Sequence, residues 1–148
     1  MKWSFRVPKR VFDIYSDDGR ACFAMTPNFG RFQRREGITD RMLGKAIGNA
    51  ERGLVDAGLG GGLIKQRTAR PGQGKSGGYR TIIAYRRGDR AVFLFGFAKS
   101  ERANLDDDEL SYLRRIGRSY LSLDDDGLEM AIAADEVMEV SYGQEEQG

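Results

Sequence analysis

Residues 91–98 form an uncharged run that constrains the fold of this chain more than any other feature of its sequence. Successive side chains of a β-strand point to opposite faces of a sheet, and this run has only apolar residues or glycine on both faces. A strand of that kind is buried on both sides, so we expect it in the centre of a sheet. Residues 63–69 and 79–86 also read as strands, and the Arg-Gly-Asp sequence at 87–89 predicts a hairpin turn into the central strand.

Two helices are predicted before these strands. Residues 21–25 read as a short strand, after which Thr26 caps the first helix and Pro27 occupies its first position, where a missing N–H costs little. Thr39 caps a second, longer helix whose apolar residues recur three and four positions apart, as on one buried face. We expect this helix to end at Gly58. Its apolar residues are Leu43, Ala46, Ile47, Ala50 and Leu54.

The C-terminal third of the chain predicts further helices. Asp106 and Glu109 have the spacing of a capping box, and acidic residues at a helix start complement the helix dipole. A shorter helix containing Leu128 and Ile132 follows, and residues 137–142 can add an edge strand. With 148 residues, the chain has the usual size of one α+β domain.

The cysteine content and the N-terminal sequence indicate the compartment. Cys22 is the only cysteine, so no internal disulfide forms, which fits a reducing environment. The first ten residues lack the apolar run of a signal peptide, and no stretch approaches the roughly 18 apolar residues of a membrane span. We therefore expect a cytoplasmic protein that has no membrane partner.

The chain contains no histidine. Histidine is the commonest acid–base group near neutral pH, so its absence excludes Ser-His-Asp and Cys-His catalysis and the paired-histidine chemistry of many nucleases. One cysteine without histidine also provides no zinc cluster. We expect neither a metal nor another cofactor, and any catalysis must use other side chains.

Charge is separated along the chain, although the formal net charge is only +2. Residues 31–102 hold 16 Lys and Arg against 6 Asp and Glu, a net charge of +10, whereas residues 103–148 hold 3 against 13, a net charge of −10. A basic block is typical of proteins that bind nucleic acids, because phosphate neutralisation dominates that affinity. A solvated surface is the alternative, and the placement of the cations decides between them.

The glycine-rich stretch at residues 70–78 contains Gly-Lys-Ser without being a P-loop. The P-loop motif needs a glycine five positions before Gly74, where Ala69 stands, and a helix afterwards, where a strand is predicted. A flexible loop that brings Arg70 and Lys75 to a phosphate backbone fits better, and a plain hairpin connection is the alternative.

A stripe of cations is predicted on the sheet. Alternation along residues 63–69 places Lys65 and Arg67 together on one face of their strand. Further cations lie on or at the ends of the predicted strands, where they can converge with these two. They are Arg70, Lys75, Arg80 and Lys99.

Converging cations suit the cleavage of RNA. The 2′-hydroxyl must lose a proton, the phosphorane needs cations around it, and the leaving 5′-oxygen needs a proton. Clustered cations lower the pKa of a lysine so that it can act as a base, while arginine stays charged and stabilises the transition state. Tyr79 and Tyr85 are candidates for stacking on a base or joining proton transfer. On composition alone, a purely electrostatic RNA-binding face is an equal alternative.

Three segments carry a family resemblance. Residues 63–70 read Leu-Ile-Lys-Gln-Arg-Thr-Ala-Arg, residues 72–81 read Gly-Gln-Gly-Lys-Ser-Gly-Gly-Tyr-Arg-Thr, and residues 93–102 read Phe-Leu-Phe-Gly-Phe-Ala-Lys-Ser-Glu-Arg. With Asp-Glu-Leu at 108–110, they resemble the HigB branch of the RelE/ParE toxins of type II toxin-antitoxin systems. The resemblance covers roughly residues 21–122.

The resemblance implies an α+β fold in which a small, mostly antiparallel sheet packs against two N-terminal helices, with a C-terminal helix. It implies an endoribonuclease that cleaves messenger RNA, usually in the ribosomal A site, and so inhibits translation. A cognate antitoxin, often of the helix-turn-helix type, is the implied partner. The toxin domain would span residues 21–122, with an N-terminal extension at 1–20 and an acidic helical segment and tail at 123–148.

The resemblance also implies roles for individual residues. Lys65 and Arg67 match the family's catalytic strand positions, and Arg80 matches its phosphate-contacting arginine after Gly-Tyr. Lys99 and Arg102 fall in the family's basic segment after the last strand. The expected catalytic residues are thus Lys65, Arg67 and Arg80, and the expected RNA-binding residues are Arg70, Lys75, Tyr79, Lys99 and Arg102.

One departure from the pattern leaves the acid and the base open, because no tyrosine stands just beyond Arg102, where RelE proper carries one. Two alternative functions also stay open at this point. One is a ParE-like toxin that poisons DNA gyrase, and the other is a relative that binds RNA or antitoxin without catalysis.

Overall fold

The structure is a computed structural model that describes residues 22–70 and 74–140, with side chains for 22–68 and 78–140. The expectations for residues 1–20 and for the tail beyond 140 lie outside this part of the chain. The strands are Cys22–Met25 (β1), Ala57–Gly60 (β2), Leu63–Arg70 (β3), Gly74–Arg86 (β4), Arg90–Ala98 (β5) and Met138–Glu139 (β6). The helices are Pro27–Glu36 (α1), Asp40–Glu51 (α2), Asp107–Ser122 (α3) and Asp125–Ala133 (α4).

The six strands form one sheet in the order β2-β3-β4-β5-β1-β6. Neighbouring strands are antiparallel except β1 and β5, which run parallel. β5 has a paired neighbour on each side and is buried apart from partial exposure at Phe95 and Gly96, which confirms its predicted central place. The α+β fold with a mostly antiparallel sheet is confirmed as well.

Helices cover both faces of the sheet. α1 and α2 lie on one face, where the rings of Phe93 and Phe29 are 5.1 Å apart between centroids. α3 and α4 lie on the other face, where Leu94, Leu113 and Leu128 belong to a second apolar cluster. Residues of β5 therefore enter both cores, which explains why the run at 91–98 is uncharged on both faces, and Arg90 at the start of the strand is its one charged residue.

The predicted helix caps hold the two N-terminal helices in place. The Thr26 hydroxyl accepts a hydrogen bond from the Phe29 N–H at 3.2 Å, and the Thr39 hydroxyl accepts one from the Met42 N–H at 3.1 Å. Gly37 ends α1 with φ at 71°, a left-handed conformation that glycine adopts without strain. Both predicted helix starts are confirmed.

α2 ends at Glu51, so the expected end at Gly58 is wrong. Gly53, with φ at 85°, turns the chain away from the helix and towards β2. Leu54 consequently leaves the helix and is 60 % exposed, not part of the buried helical face. The sequence does not predict β2, because Ala-Gly-Leu-Gly has little strand propensity and forms a strand only through its pairing with β3.

β4 is longer than the sequence predicts, because it begins at Gly74 and not at Tyr79. The backbone at Arg70 pairs with that at Gly74, so part of the expected loop continues the β3–β4 ladder. Glycines weaken a strand locally, and here the pairing with β3 outweighs their low propensity.

Residues 123–140 contribute to the apolar clusters on both faces of the sheet. Asp124 caps α4 by accepting a hydrogen bond from the Gly127 N–H at 2.7 Å, so this acidic stretch begins a helix and does not merely separate two. Val137 and Val140 are fully buried beside β6, which forms the predicted edge strand. Among the described residues, no helix combines the length and the apolar character needed to cross a membrane.

Candidate functional site

A row of side chains crosses three strands on the face that α3 partly covers. Arg67 on β3 pairs directly with Arg80 on β4, and Arg80 pairs with Phe97 on β5. Directly paired residues project to the same face of a sheet, and Phe97 belongs to the apolar cluster under α3. Lys65 lies two residues before Arg67 and shares this face. The structure thus brings Lys65, Arg67 and Arg80 together, and we call these three the cationic row.

The members of the cationic row differ in exposure and in partners. Arg67 is exposed, and no described residue forms an ion pair with it. Lys65 is half-buried, and its Nζ lies 3.2 Å from the Asn104 side-chain oxygen. Arg80 is only 8 % exposed, and its Nε lies 3.3 Å from the Asp56 carboxylate. The Arg67 guanidinium is therefore open to solvent, while the Arg80 guanidinium is largely buried and paired through its Nε.

Sequence reasoning missed the residues that hold Arg80. The Asp56 N–H donates to the Gln66 side-chain oxygen at 2.9 Å, and the Gln66 amide donates to the Ala46 and Leu54 carbonyl oxygens. Gln66 is buried at 3 % exposure on the opposite face of β3 from Arg67. The signal that could have identified Gln66 is a polar residue at an inward position of a strand, because such a group must find hydrogen-bond partners.

The segment after β5 brings a fourth cation to the site. The Arg102 guanidinium lies 5.5 Å from the Phe97 ring centroid and forms a two-pronged ion pair with Glu109, with Nη1 3.0 Å from Oε2. This hydrogen bonding lowers the pKa of Glu109 and raises the pKa of Arg102. Glu109 also completes the predicted capping box with Asp106, which is confirmed. Glu109, in the first turn of α3, therefore both helps to cap the helix and orients a cation of the site.

Lys99 is exposed at the end of β5, where its backbone N–H donates to the Gly78 carbonyl oxygen at 3.0 Å. Arg70 and Lys75 lie on β3 and β4 near the same end of the sheet, and the structure describes their backbones alone. The predicted RNA-binding cations thus follow the strand ends next to the cationic row.

Tyr79 lies away from these cations. It is 1 % exposed in the core under α1, its ring meets the Phe32 ring edge-on at 5.6 Å, and its hydroxyl donates to the Glu36 carboxylate at 3.0 Å. A buried ring presents no face to a nucleobase, so the expected stacking role does not fit this placement. Tyr85 also faces that core. The pKa of its hydroxyl is raised far above the usual value, chiefly because the hydroxyl is buried and secondly because it donates a hydrogen bond to the Glu51 carboxylate.

Two clefts open near these residues. One of about 290 Å³ lies beside Arg67 and Asp56, and the exposed Leu54 also lines it. A larger groove of about 330 Å³ runs between α3 and the start of α1, and it contains Glu109 without reaching the cationic row. The smaller cleft therefore belongs to the site, although the larger one has the more apolar lining.

Comparison with known proteins identifies the family. No curated protein sequence matches the chain. The family model described as the RelE toxin of the RelE/RelB toxin-antitoxin system matches residues 23–140, which include all four helices and the cationic row. This match includes α4 and β6, beyond the range of the resemblance seen in the sequence. The chain belongs to the RelE toxin family of toxin-antitoxin systems.

Proposed function

We propose that this toxin is a HigB-type endoribonuclease that cleaves messenger RNA without a metal ion and thereby inhibits translation. The observation that carries the proposal is the cationic row, with Lys65, Arg67 and Arg80 on one face of a paired sheet. Rigid strands hold catalytic groups better than loops do. Family membership supports the same reading, because the chain belongs to a family of toxins.

In the proposed reaction, the 2′-oxygen forms a bond to phosphorus while the bond to the 5′-oxygen breaks. The products are a 2′,3′-cyclic phosphate and a 5′-hydroxyl end. A guanidinium stays protonated in proteins, so Lys65 is the member of the cationic row that can exchange a proton. Arg67 and Arg80 stabilise the negative charge of the phosphorane. Proton transfer and charge stabilisation are therefore divided between two kinds of side chain.

The neighbouring cations would position the RNA. Lys99 and Arg102 flank Phe97 of the same face, and Arg70 and Lys75 follow along β3 and β4. Phosphate contacts of this kind fix the register of a nucleic acid without reading its bases. We assign Lys99, Arg102, Arg70 and Lys75 to this positioning role.

Metal independence is part of the proposal. The whole chain lacks histidine, and the described residues contain no group of three or more His, Cys, Asp or Glu side chains placed as metal ligands. Cleavage of free RNA should therefore continue in EDTA. Abolition of that cleavage by EDTA, with recovery on adding a divalent cation, would contradict this part of the proposal.

The test of the main proposal is to add the protein to translating ribosomes and to map the 5′ ends of the messenger RNA. We expect new 5′ ends with the wild-type chain, and far fewer with Lys65→Ala at equal concentration of folded protein. Intact messages together with broken DNA in the presence of gyrase would instead identify a gyrase poison.

The proposed partner is a cognate antitoxin, of the helix-turn-helix type, that covers the cationic face with acidic or apolar contacts. Expression of the toxin alone should then stop growth, and coexpression with the product of the neighbouring gene should restore it. A neighbouring gene product that neither binds the toxin nor restores growth would contradict this assignment.

A further inference from the structure

Two arginines face each other across the β3–β4 ladder. Arg67 and Arg80 are direct partners in the register, and directly opposed like charges destabilise a sheet. Arg80 is almost fully buried, so water screens its charge poorly, and a buried cation needs a counter-ion. The Asp56 carboxylate, 3.3 Å from Arg80 Nε, supplies that counter-ion.

Asp56 is itself held in place. Its N–H donates to the Gln66 side chain, whose amide is anchored on the Ala46 carbonyl oxygen of α2 and the Leu54 carbonyl oxygen of the following loop. One buried side chain thereby connects the middle of α2, the loop and β3. The backbone of Asp56 is therefore held by hydrogen bonds, and from this position its carboxylate, 28 % exposed, pairs with the buried Arg80 guanidinium.

From this arrangement we infer that Asp56 is a positioning residue: it fixes the Arg80 guanidinium beside Arg67 in the orientation that the scissile phosphate requires. The inference rests on the proposed ribonuclease function. Asp56 touches neither substrate nor reacting atoms in this account, and it acts through Arg80. A carboxylate beside a phosphate site also repels the phosphate, so its presence there has to be offset by what it does for the arginine.

These two effects of Asp56 predict opposite changes in one variant. Asp56→Asn keeps the size of the side chain but removes its charge, so the RNA site becomes more positive while Arg80 loses its anchor. We expect KM for the RNA to stay the same or fall, because added positive charge favours polyanion binding. We expect kcat to fall by about 10- to 100-fold, because small misplacements of a catalytic group cost that much.

Asp89→Asn is the matched control. Asp89 forms an ion pair with Arg86 at 2.6 Å at the far end of β4, so its substitution makes the same change in charge and also breaks an Asp–Arg pair. We expect kcat of this variant to equal that of the wild type. Equal kcat values for Asp56→Asn and the wild type, or equal losses in both variants, would overturn the inference.

A second measurement keeps the inference testable if the wild-type chain cleaves no RNA, an outcome that would defeat the proposed function alone. The Arg80 Nε–H signal in a side-chain NMR spectrum reports whether the guanidinium is held. We expect an ordered signal in the wild type and in Asp89→Asn, and a mobile one in Asp56→Asn. A guanidinium of equal mobility in all three proteins would show that Asp56 does not fix Arg80.

Discussion

Arginines at the two ends of β4 differ in the hydrogen-bond and ion-pair partners of their guanidinium groups. At the β4–β5 turn, Arg90 is 2 % exposed, and its Nη1 donates to the Tyr120 and Leu123 carbonyl oxygens at 2.7 Å each. Its Nη2 lies 3.3 Å from the Asp125 carboxylate. One side chain therefore joins the end of α3 and the start of α4 to the sheet.

At the other end of β4 the pattern is reversed. Arg67 is exposed with no ion pair to a described residue, and it faces Arg80, another cation. Such a pair costs stability, and among the described residues none forms an ion pair that would hold Arg67 in the fold. An arginine that holds the fold, such as Arg90, therefore has its guanidinium hydrogen-bonded to fixed oxygens of the protein. An arginine that is available to a ligand, such as Arg67, does not.

The largest expected effect is the loss of stability on replacing Arg90, the arginine that holds the fold. Arg90→Met should lower the free energy of unfolding by about 2 to 4 kcal/mol, because the Tyr120 and Leu123 carbonyl oxygens lose the buried guanidinium that donates to them. Urea denaturation measures this loss, and RNA cleavage per folded molecule should stay at the wild-type level. A loss below about 1 kcal/mol would break the distinction between the two groups.

Arg67→Ala should have the complementary result. Cleavage should slow by about 100-fold, equivalent to about 2.7 kcal/mol of transition-state stabilisation, while the free energy of unfolding changes by less than about 0.5 kcal/mol. Arg118→Ala is the control, because Arg118 is equally an exposed arginine but lies on α3. Single-turnover cleavage rates compare the two variants, and similar rates in both would contradict the assignment of Arg67.

The affinity for free RNA should depend steeply on salt. We expect a loss of more than tenfold between about 50 and 200 mM salt, because in the proposed complex the cations between residues 65 and 102 contact several phosphates. Arg67→Ala should reduce the slope of log K against log salt by about 0.7, the value for one contact to a single strand. Fluorescence anisotropy measures both, and a flat salt dependence would exclude a phosphate-binding face.

The smallest expected effect is on stability and concerns the ion pair between Arg102 and Glu109. Arg102 is paired like Arg90 but is partly exposed to solvent, as Arg67 is. The pKa of Glu109 is lowered from its usual 4.5, chiefly by the hydrogen bond from Arg102, so the folded state favours the charged carboxylate. That contribution is complete above about pH 4.5 and is lost as the pH falls through the lower folded-state pKa.

Glu109→Gln removes this titration. We therefore expect the difference in stability between wild type and Glu109→Gln to be constant above about pH 5 and to shrink in more acidic solution. Urea denaturation at a series of pH values checks it. A difference that stays constant down to pH 3 would show that the ion pair contributes no pH dependence.

Local patterns in the sequence predict the elements whose side chains interact with near neighbours. The Thr26 and Thr39 hydroxyls accept hydrogen bonds from residues three positions further along the chain. The run at 91–98 has no charged residue on either face, which predicts its burial on both. Alternation places Lys65 and Arg67 on one face for the same reason. Predictions failed where a distant pairing outweighed local preference, as in β2 and at the start of β4.

The sequence by itself determined the central strand, the helix starts, the absence of histidine chemistry and the placement of Lys65 and Arg67 on one face of β3. Only the tertiary structure decided which residues meet these cations. Arg80 and Tyr79 are neighbours in the chain, yet the sheet sends one towards Asp56 and the other under α1. The contact between Asp56 and Arg80 spans 24 positions of the chain and depends on the early end of α2, the turn at Gly53 and the anchor at Gln66. Sequence spacing carries no information about such a contact, because its geometry comes from strands and a helix packing together.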